Sequence, residues 1–250
     1  MPTEAPKPPD LPPHQPLDAY YGQQTRQVFL RRLFDATATD YDALETLFSF
    51  GTGQTWRRQA VRRAAPGSGA RVLDLATGTG VLAASAAREV GPAGTVVALD
   101  FSSEMLRRAA ARPGVMPVLA SVDALPFDAE AFDFLSMGYA LRHVASLPRA
   151  FAEWARVLRP GGQILLMEIG RPRGRAAALL ARSYFRHLLP GLSRALRGAS
   201  AATLMRYYWD TIEACVAPDV IVHALRQTGF SDAACETRLG LLHSYTGRKV

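Results

Sequence analysis

A short glycine-containing loop carries the first residues whose types and spacing suit chemistry. It occupies positions 74–80, directly after an apolar run and directly before an alanine-rich helical pattern. Glycines allow a tight turn and close backbone approach to a ligand, and the first turn of a helix offers free N–H groups. Asp100 follows at the end of the next apolar run, where a carboxylate can accept hydrogen bonds from both hydroxyls of a ribose. The loop residues expected to bind a nucleotide-like cofactor are Asp74, Ala76, Gly78, Thr79 and Gly80.

Two classes of cofactor fit this loop, and three features favour S-adenosylmethionine over a dinucleotide. Residues 78–83 also read GxGxxA, the fingerprint of dinucleotide-binding loops. However, Asp74 places a negative charge beside the loop, which attracts a sulfonium and an ammonium group and repels a pyrophosphate. The segments VDALPF (122–127) and RVLRPGG (156–162) then follow in the order typical of methyltransferases. The sequence therefore predicts an S-adenosylmethionine-dependent methyltransferase, with an NAD-dependent oxidoreductase as the alternative.

The elements that must position this loop alternate between strand and helix patterns. Short apolar runs typical of buried strands are separated by alanine- and leucine-rich stretches with helical periodicity. The strand-like runs are 71–76, 94–100, 115–120, 132–137 and 163–168, with a final pair at 235–238 and 241–245. Such alternation is the signature of βαβ units. We therefore expect a Rossmann-like α/β fold of class I methyltransferase type, with a mostly parallel seven-stranded sheet, helices on both faces and a helical lid.

The segments outside this alternation predict a tail and a lid. Seven prolines in the first 16 residues oppose helix and sheet, so we expect a disordered, Pro-rich tail over residues 1–18. Residues 19–250 are expected to form a single methyltransferase domain. Within it, the helical residues 19–65 and an insertion at 171–215 interrupt the alternation. We expect these two segments to form a lid over the substrate.

The charge distribution and the positions of the cysteines indicate which membranes, metals or nucleic acids the protein is expected to bind. The net charge is +7, and residues 171–197 combine many arginines with interleaved apolar residues. This pattern slightly favours a solvated lid, with peripheral contact with an anionic membrane as the alternative. Cys215 and Cys235 form no CxxC pair, so we expect no metal site. Nucleic acid is not an expected partner, because the chain carries neither an RNA-binding domain nor an NPPY motif.

The prediction of where the protein is located depends on the N-terminal sequence and on the length of the apolar runs. The N-terminus has no charged segment followed by an apolar one, and no apolar run approaches the roughly 20 residues that cross a bilayer. We therefore expect a cytoplasmic protein, with membrane association through residues 171–197 as an addition. A homodimer remains an open expectation.

Three further motifs carry a resemblance to a known family. FSSEML (101–106) is similar to a DFS-x-x-ML segment, YALRHV (139–144) to an FGLRN motif, and RYYWDTI (206–212) to a tyrosine-rich lid helix. An N-terminal signature adds Phe34-Asp35, Tyr41-Asp42 and Trp56-Arg57. With these motifs, residues 34–249 resemble the UbiE type of methyltransferase, the ubiquinone/menaquinone biosynthesis C-methyltransferases.

This resemblance implies further cofactor contacts. In the family, the threonine of the glycine loop, the acid after the second strand and the residues before the LPF segment bind the cofactor. The family has an acidic or amide side chain where Ser121 stands, and Asp123 is close enough in sequence to serve instead. Beyond the loop and Asp100, the residues expected around the cofactor are Phe101, Met105, Ser121, Val122, Asp123 and Gly138.

The FGLRN-like motif implies the catalytic residues. His143 stands where the family has asparagine, and an imidazole is a natural general base for the hydroxyl of a phenol or hydroquinone. Arg142 is expected to stabilise the resulting phenolate. The expected acceptor is a small aromatic, phenolic or quinol-like molecule, methylated on carbon or oxygen, with natural-product synthesis as the alternative to quinone biosynthesis. The residues expected to contact it are Tyr41, Tyr139, Tyr207 and Tyr208.

Overall fold

The apolar runs of the sequence form the strands of a central sheet. A computed structural model describes residues 10–15, 17–172 and 174–250 of the chain. The helices are α1 (Asp18–Tyr21), α2 (Arg26–Thr37), α3 (Tyr41–Phe48), α4 (Gly53–Ala64), α5 (Val81–Val90), α6 (Ser103–Ala109), α7 (Leu147–Val157), α8 (Arg175–Ser183), α9 (Leu189–Arg197), α10 (Ala199–Ala214) and α11 (Pro218–Gln227). The strands are β1 (Arg71–Leu75), β2 (Thr95–Asp100), β3 (Val115–Leu119), β4 (Phe132–Gly138), β5 (Leu158–Ile169), β6 (Phe230–Arg238) and β7 (Leu242–Lys249). Single turns of other type are a 3-10 turn at Leu141–His143 and a π-helical turn at Tyr184–Leu188.

The strands of the described chain form a seven-stranded sheet in the order β3-β2-β1-β4-β5-β7-β6. β1 pairs in parallel with both β2 and β4, whereas β7 runs antiparallel to β5 and β6. The strand order reverses between β1 and β4, so the loops after these strands diverge and leave a crevice at their carboxyl ends. This mostly parallel sheet confirms the predicted fold, and its switch point is where a ligand is expected.

Alternating side chains of the strands build a core on each face of the sheet. Along β1, Leu73 and Leu75 join the apolar cluster that includes Phe151 and Trp154 of α7. Val72 instead joins the cluster on the opposite face, which contains the apolar side chains of α4 and α5. The alternation follows from the two-residue period of a strand. It leaves the carboxyl ends of the strands free to carry polar residues.

A third apolar cluster lies over the carboxyl ends of the strands and covers the crevice. It is formed mainly by aromatic and leucine side chains of α1, α2, α3, α9 and α10. Phe34 of α2 connects this cluster to the sheet, because its ring contacts Phe101 after β2 and His143 after β4, with centroid distances of 6.1 and 5.8 Å. The elements that the sequence assigned to a lid are therefore packed together above the crevice.

The described part of the N-terminal tail is held against the domain. The backbone oxygens of Leu11 and Pro13 accept hydrogen bonds from the N–H groups of Leu147 and Val216, both at 2.8 Å. A proline-rich chain cannot donate to a sheet ladder, but its carbonyls can still accept hydrogen bonds from neighbouring elements. The prediction of disorder is therefore wrong for the described residues of this segment, and the rest of the predicted tail lies outside them. None of the described helices is long and apolar enough to cross a membrane.

Candidate active site

The first strand ends in a buried carboxylate. Asp74 is fully buried and accepts hydrogen bonds from Thr77 Oγ1 and Ser136 Oγ, each at 2.6 Å. Burial raises the pKa of Asp74 to about 6, although both hydroxyl hydrogen bonds act in the opposite direction. Within the described residues, no arginine, lysine or histidine forms a salt bridge with it. A cationic ligand beside this carboxylate would therefore offset the cost of burying its charge.

A second buried carboxylate lies at the end of β2. Asp100 accepts hydrogen bonds from the backbone N–H groups of Gly78, at 2.8 Å, and Ser102, at 2.9 Å. These bonds fix the glycine loop to the end of β2. Burial raises the pKa of Asp100 to about 6. The carboxylate thus has a fixed position in the crevice, as recognition of ribose hydroxyls requires.

Two non-glycine residues beside the crevice adopt left-handed backbone conformations. Ala76 follows β1 with φ 47°, and Tyr139 follows β4 with φ 62°. Such conformations cost free energy for residues with a side chain, and they persist where the surroundings enforce them. The N–H of Tyr139 donates to the carbonyl of Met167 at 2.7 Å, which anchors one of the two turns. Both residues line the crevice, so the strain is located at the candidate site.

The residues predicted to bind the cofactor surround one crevice. A cavity of about 260 Å³ lies over the carboxyl ends of β1, β2 and β4, and a pocket of about 30 Å³ adjoins it beside the glycine loop. The larger cavity is lined by the predicted residues Ala76, Gly78, Asp100, Phe101, Met105, Ser121, Val122, Asp123 and Gly138. Asp74 and Thr79 line the smaller pocket. The two spaces together have room for the adenosine and the amino-acid ends of a nucleoside cofactor.

Gly80 has a different role from the one predicted. It lies outside the residues lining both spaces and precedes the first turn of α5 with φ 78°. A Cβ at this position would lie 3.0 Å from both Cα and Cβ of Ala109 in α6. The glycine therefore permits α5 and α6 to pack closely, and its predicted contact with the cofactor is corrected to a packing role.

The sequence analysis missed the role of the acidic residues in α2 and α3. Asp42 accepts a hydrogen bond from Thr79 Oγ1 at 2.5 Å and pairs with Arg112 at 3.0 Å. Asp35 accepts a hydrogen bond from Ser102 Oγ, also at 2.5 Å. Both acids belong to the N-terminal signature found in the sequence. They hold the lid helices against the loops that follow β1 and β2.

A separate, mostly apolar cavity of about 210 Å³ lies on the other side of the tyrosines. Tyr41, Tyr139 and Tyr208 line both this cavity and the larger cofactor space, so they form the partition between the two. Tyr41 Oη and Tyr208 Oη form a hydrogen bond of 2.8 Å across this partition. Three of the four tyrosines predicted to contact the acceptor therefore lie between the two cavities.

Two buried arginines border the apolar cavity, each paired with a glutamate. Arg57 donates to Glu45 at 2.7 Å and lies over the ring of Tyr139, 4.7 Å from its centroid. Arg142 pairs with the buried Glu168 and lies over the ring of Tyr208, 4.8 Å from its centroid. Each pairing compensates a charge that would otherwise be costly to bury. If Arg142 stabilises a phenolate, as the sequence predicts, it does so while its guanidinium remains in the salt bridge with Glu168.

His143 lies in the cofactor cavity with a free imidazole. Its ring faces Phe34 on one side and stacks on Tyr207 on the other, with centroids 5.6 Å apart at 14°. Both ring nitrogens are buried and lack a hydrogen-bond partner within the described residues. Burial, followed by the positive charges of Arg142 and Arg26, lowers the pKa of His143 well below its usual value. The imidazole is therefore neutral at physiological pH and available to accept a proton or hydrogen bond.

Tyr207 does not lie where the sequence placed it. The side chain is fully buried and lines neither the cofactor cavity nor the apolar cavity. It packs against Tyr20 and Phe29 as well as His143. Because adjacent residues of a helix point in directions about 100° apart, Tyr208 faces the partition while Tyr207 faces the lid core. The predicted acceptor contact of Tyr207 is therefore corrected to a packing contact behind His143.

Comparison with known proteins places the chain in a family. The sequence profile of the ubiE/COQ5 methyltransferase family matches residues 22–249, nearly all of the described chain. The chain belongs to the ubiE/COQ5 methyltransferase family. This membership confirms the predicted S-adenosylmethionine-dependent methyltransferase and decides against the NAD-dependent oxidoreductase. The two buried carboxylates that lack cationic partners fit a cofactor with sulfonium and ammonium groups.

Relatives and solved structures agree with this assignment. The chain is 38% identical over 216 residues to the ubiquinone/menaquinone biosynthesis C-methyltransferase UbiE of Syntrophotalea carbinolica, covering 84% of this chain and 86% of the relative. It is 38% identical over 204 residues to the demethylmenaquinone methyltransferase of Thermus thermophilus, covering 80% and 91%. The solved structure of Haemonchus contortus phosphoethanolamine N-methyltransferase 2 with S-adenosyl-L-methionine shares the fold at 17% identity, with a TM-score of 0.66 over 91% of this chain and 60% of that one.

The raised pKa of Asp74 gives this ubiE/COQ5-family protein a testable pH dependence. A folded-state pKa of about 6, above the ordinary value of 3.8, stabilises the apo fold at low pH. This stabilisation is complete below the unfolded pKa and is lost as pH rises through the folded pKa, with a magnitude of about 3 kcal/mol. The free energy of unfolding of the apo wild type should therefore fall as pH rises from about 5 to about 7.5, and it should fall less in Asp74→Asn. Urea unfolding of both proteins at the two pH values measures the difference.

Ligand binding should have the opposite pH dependence. The ionised carboxylate is the form that attracts the ammonium group, which S-adenosylhomocysteine retains although it lacks the sulfonium charge. S-adenosylhomocysteine should therefore raise the melting temperature of the wild type more at pH 7.5 than at pH 5. Asp74→Asn should show little ligand-induced shift at either pH. Equal shifts for the wild type and the variant at both pH values would contradict a role for Asp74 in binding the cofactor.

Proposed function

We propose that this protein transfers the methyl group of S-adenosylmethionine to a ring carbon of a quinol-type acceptor. The observation that carries the proposal is the apolar cavity separated from the cofactor cavity by Tyr41, Tyr139 and Tyr208. An aromatic ring held between such side chains is positioned by stacking, and an apolar substituent fits the apolar lining. Relatives named as demethylmenaquinone and ubiquinone/menaquinone C-methyltransferases support the same acceptor class.

Positioning supplies most of the proposed catalysis. S-Adenosylmethionine provides an activated methyl group on its sulfonium. The protein's own contribution is to hold the acceptor carbon in line with that methyl group and to exclude water, which can lower a barrier by as much as about 7–11 kcal/mol. In this proposal Asp74 and Asp100 hold the cofactor in the larger cavity, and the partition tyrosines hold the acceptor ring at the boundary between the two cavities.

His143 lines the cofactor cavity and not the apolar cavity, so the proposal places the acceptor ring at the partition, with its hydroxyl on the side of His143 and its apolar substituent in the apolar cavity. In this arrangement His143 accepts the proton of the acceptor hydroxyl. The positive charges that lower the pKa of the imidazole also favour a phenolate in the same space, so the transfer creates a neutral ion pair in the cavity. The phenolate makes its ortho carbon nucleophilic, and the new C–C bond forms as the C–S bond breaks. The ring carbon then releases its proton to solvent, and His143 returns its proton to the phenolate oxygen. Arg142, on the acceptor side of Tyr208, stabilises the negative charge while Glu168 holds its guanidinium.

The helices above the crevice serve as the substrate lid in this proposal. Residues 19–65 and 171–215 supply the aromatic cluster that covers the cofactor and acceptor cavities. Asp42 and Asp35 connect this lid to the cofactor loops through hydrogen bonds to Thr79 and Ser102. Closure of the lid would exclude water from the methyl acceptor, so cofactor and acceptor binding are coupled through these bonds.

Product analysis with a panel of acceptors tests the proposed function. The protein is incubated with isotopically methyl-labelled cofactor and, in separate reactions, a reduced demethylmenaquinone, a short-chain hydroquinone and small phenols without an apolar substituent. We expect C-methylation of the reduced quinones with higher kcat/KM for the longer apolar substituent, because the apolar cavity binds it. Exclusive methylation of the small phenols would favour natural-product synthesis, and O-methylated quinols would contradict ring-carbon transfer. Asp74→Asn serves as the inactive control.

A further inference from the structure

The first part of the helical insertion after β5 exposes several large apolar side chains, although Leu189 within it is buried. We name residues 174–197, comprising α8, the π-helical turn and α9, the arginine–leucine segment. α8 contains no buried residue. Leu180, Leu188 and Leu196 are 71%, 61% and 62% exposed. Isolated exposed leucines need no explanation, but several on one short segment mark an interaction surface.

The exposed leucines follow the repeat of a helix. Leu180, Leu188, Leu192 and Leu196 are separated by multiples of four residues, so Leu180 and Leu188 are about two helical turns apart and the later members about one turn apart. In a regular α-helix, a four-residue spacing drifts around the axis by about 40° per step. The π-helical turn at Tyr184–Leu188 contains more residues per turn and offsets part of this drift. The leucines therefore lie along a continuous stripe on the surface.

Arginines flank this stripe, and acids are absent from the segment. Between positions 174 and 197 the sequence contains no aspartate or glutamate. Arg175 and Arg194 are exposed and form no salt bridge within the described residues. Arg186 and Arg197 reach acidic side chains of neighbouring elements, at 3.4 and 2.8 Å. Long arginine side chains beside leucines suit an interface where apolar groups enter lipid and guanidinium groups contact anionic headgroups.

The arginine–leucine segment adjoins the mouth of the apolar cavity. Phe50 and Leu239 both line that cavity, although they are 74% and 86% exposed, so the cavity reaches the surface at these residues. Phe50 stacks on Tyr184 of the segment, with centroids 5.2 Å apart at 25°. Phe185, the next residue, lines the cavity itself. An apolar path thus leads from the exposed leucines to the acceptor cavity.

We propose that the arginine–leucine segment docks on an anionic lipid bilayer and places the mouth of the apolar cavity against it. The docking itself is inferred from the surface of the segment. Entry of an acceptor with a lipid tail through the cavity mouth rests on the proposed function. Charge favours a bilayer over a second copy, because a symmetric contact through this face would bring like-charged arginines together. Docking by leucine insertion and arginine–headgroup contact would be reversible and sensitive to salt.

Vesicle co-sedimentation tests this docking with the full chain. Vesicles of phosphatidylcholine alone are compared with vesicles that also contain phosphatidylglycerol, at low and at high salt. We expect binding to the anionic vesicles that is weakened by salt. Arg175→Gln with Arg194→Gln should reduce the partition coefficient about 10–30-fold, since each arginine near an anionic surface contributes about 1 kcal/mol. Leu180→Glu with Leu188→Glu should reduce it by at least as much, whereas Val250→Glu, at an exposed site outside the segment, should leave it unchanged.

Each other outcome overturns the docking proposal. Equal binding to neutral and anionic vesicles, or no binding by a folded wild type, would contradict it. A concentration-dependent dimer in analytical ultracentrifugation that Leu180→Glu dissociates, without vesicle binding, would assign the segment to a contact between copies. Methylation of a water-soluble, short-chain hydroquinone without vesicles separates the two proposals: if it proceeds while vesicle binding fails, docking is wrong and the proposed function stands.

Discussion

Replacing His143 by glutamine is expected to lower kcat about 10²–10⁴-fold, because an amide can accept a hydrogen bond but cannot take up a proton. Asparagine is unsuitable for this test, because the family has it at this position. The substitution keeps a polar side chain of similar reach in the space between Phe34 and Tyr207. His143→Gln separates proton transfer from positioning better than alanine, because it removes basicity and leaves no large cavity. Steady-state kinetics with a reduced quinone measures the effect.

The pH profile supplies the control for this variant. Because the pKa of His143 is lowered, the wild type should show its acid limb in kcat below pH 6.5, with no further loss between there and pH 8. The variant should lose that limb but bind S-adenosylhomocysteine as the wild type does. Full kcat for His143→Gln with an unchanged profile would contradict the assignment of the base and would leave His143 with a positioning role.

Replacing Glu168 by glutamine is expected to destabilise the fold by about 3–5 kcal/mol, because it leaves a buried guanidinium without its counter-ion. Arg142 and Glu168 are each 1% exposed, so neither side chain can move into solvent without opening the site. Glu168 also accepts hydrogen bonds from the N–H groups of Arg142 and Ile169, at 3.3 and 2.9 Å. For a chain of this length the loss corresponds to a fall in melting temperature of roughly 6–20 °C.

An exposed ion pair of the same protein gives the matched control. Glu104 pairs with Arg107 on the surface of α6, at 2.5 Å. Glu104→Gln should cost no more than about 0.5 kcal/mol, because solvent screens an exposed pair. Urea unfolding of the two variants beside the wild type compares them directly. Equal stability of Glu168→Gln and Glu104→Gln would show that the buried pair does not hold the acceptor side of the site together.

The cofactor half of the site could be predicted because its residues are close in sequence to the strands that position them. The apolar runs 71–76 and 94–100 became β1 and β2, and their carboxyl ends fixed Asp74 and Asp100 in the crevice. Neighbouring parallel strands have their carboxyl ends at the same edge of the sheet, and this does not depend on the structure of the lid. The glycine at position 80 was misassigned because the sequence pattern does not distinguish a glycine that contacts a ligand from one that permits helix packing.

The acceptor half depends on contacts that no local pattern contains. Glu168 lies at the end of an apolar strand, and only the fold brings it beside Arg142. Tyr207 and Tyr208 share one motif, but the helix turns only Tyr208 toward the partition. The fifth strand was predicted to begin at position 163, whereas β5 already begins at Leu158 and its pairing with β4 shifts register there. Such irregular pairings are set by the neighbouring strand rather than by local propensity.

Calorimetric titration with S-adenosylhomocysteine at pH 7.5 tests the central claim most directly, namely that the crevice with carboxylates at Asp74 and Asp100 holds a methyl donor. The wild type should bind one equivalent, NADH should give no heat, and Asp74→Asn should bind at least about 10-fold more weakly, as expected for the loss of a hydrogen bond or ion pair to a charged group. Absence of binding to a folded wild type, or equal affinity for NADH, would contradict the account.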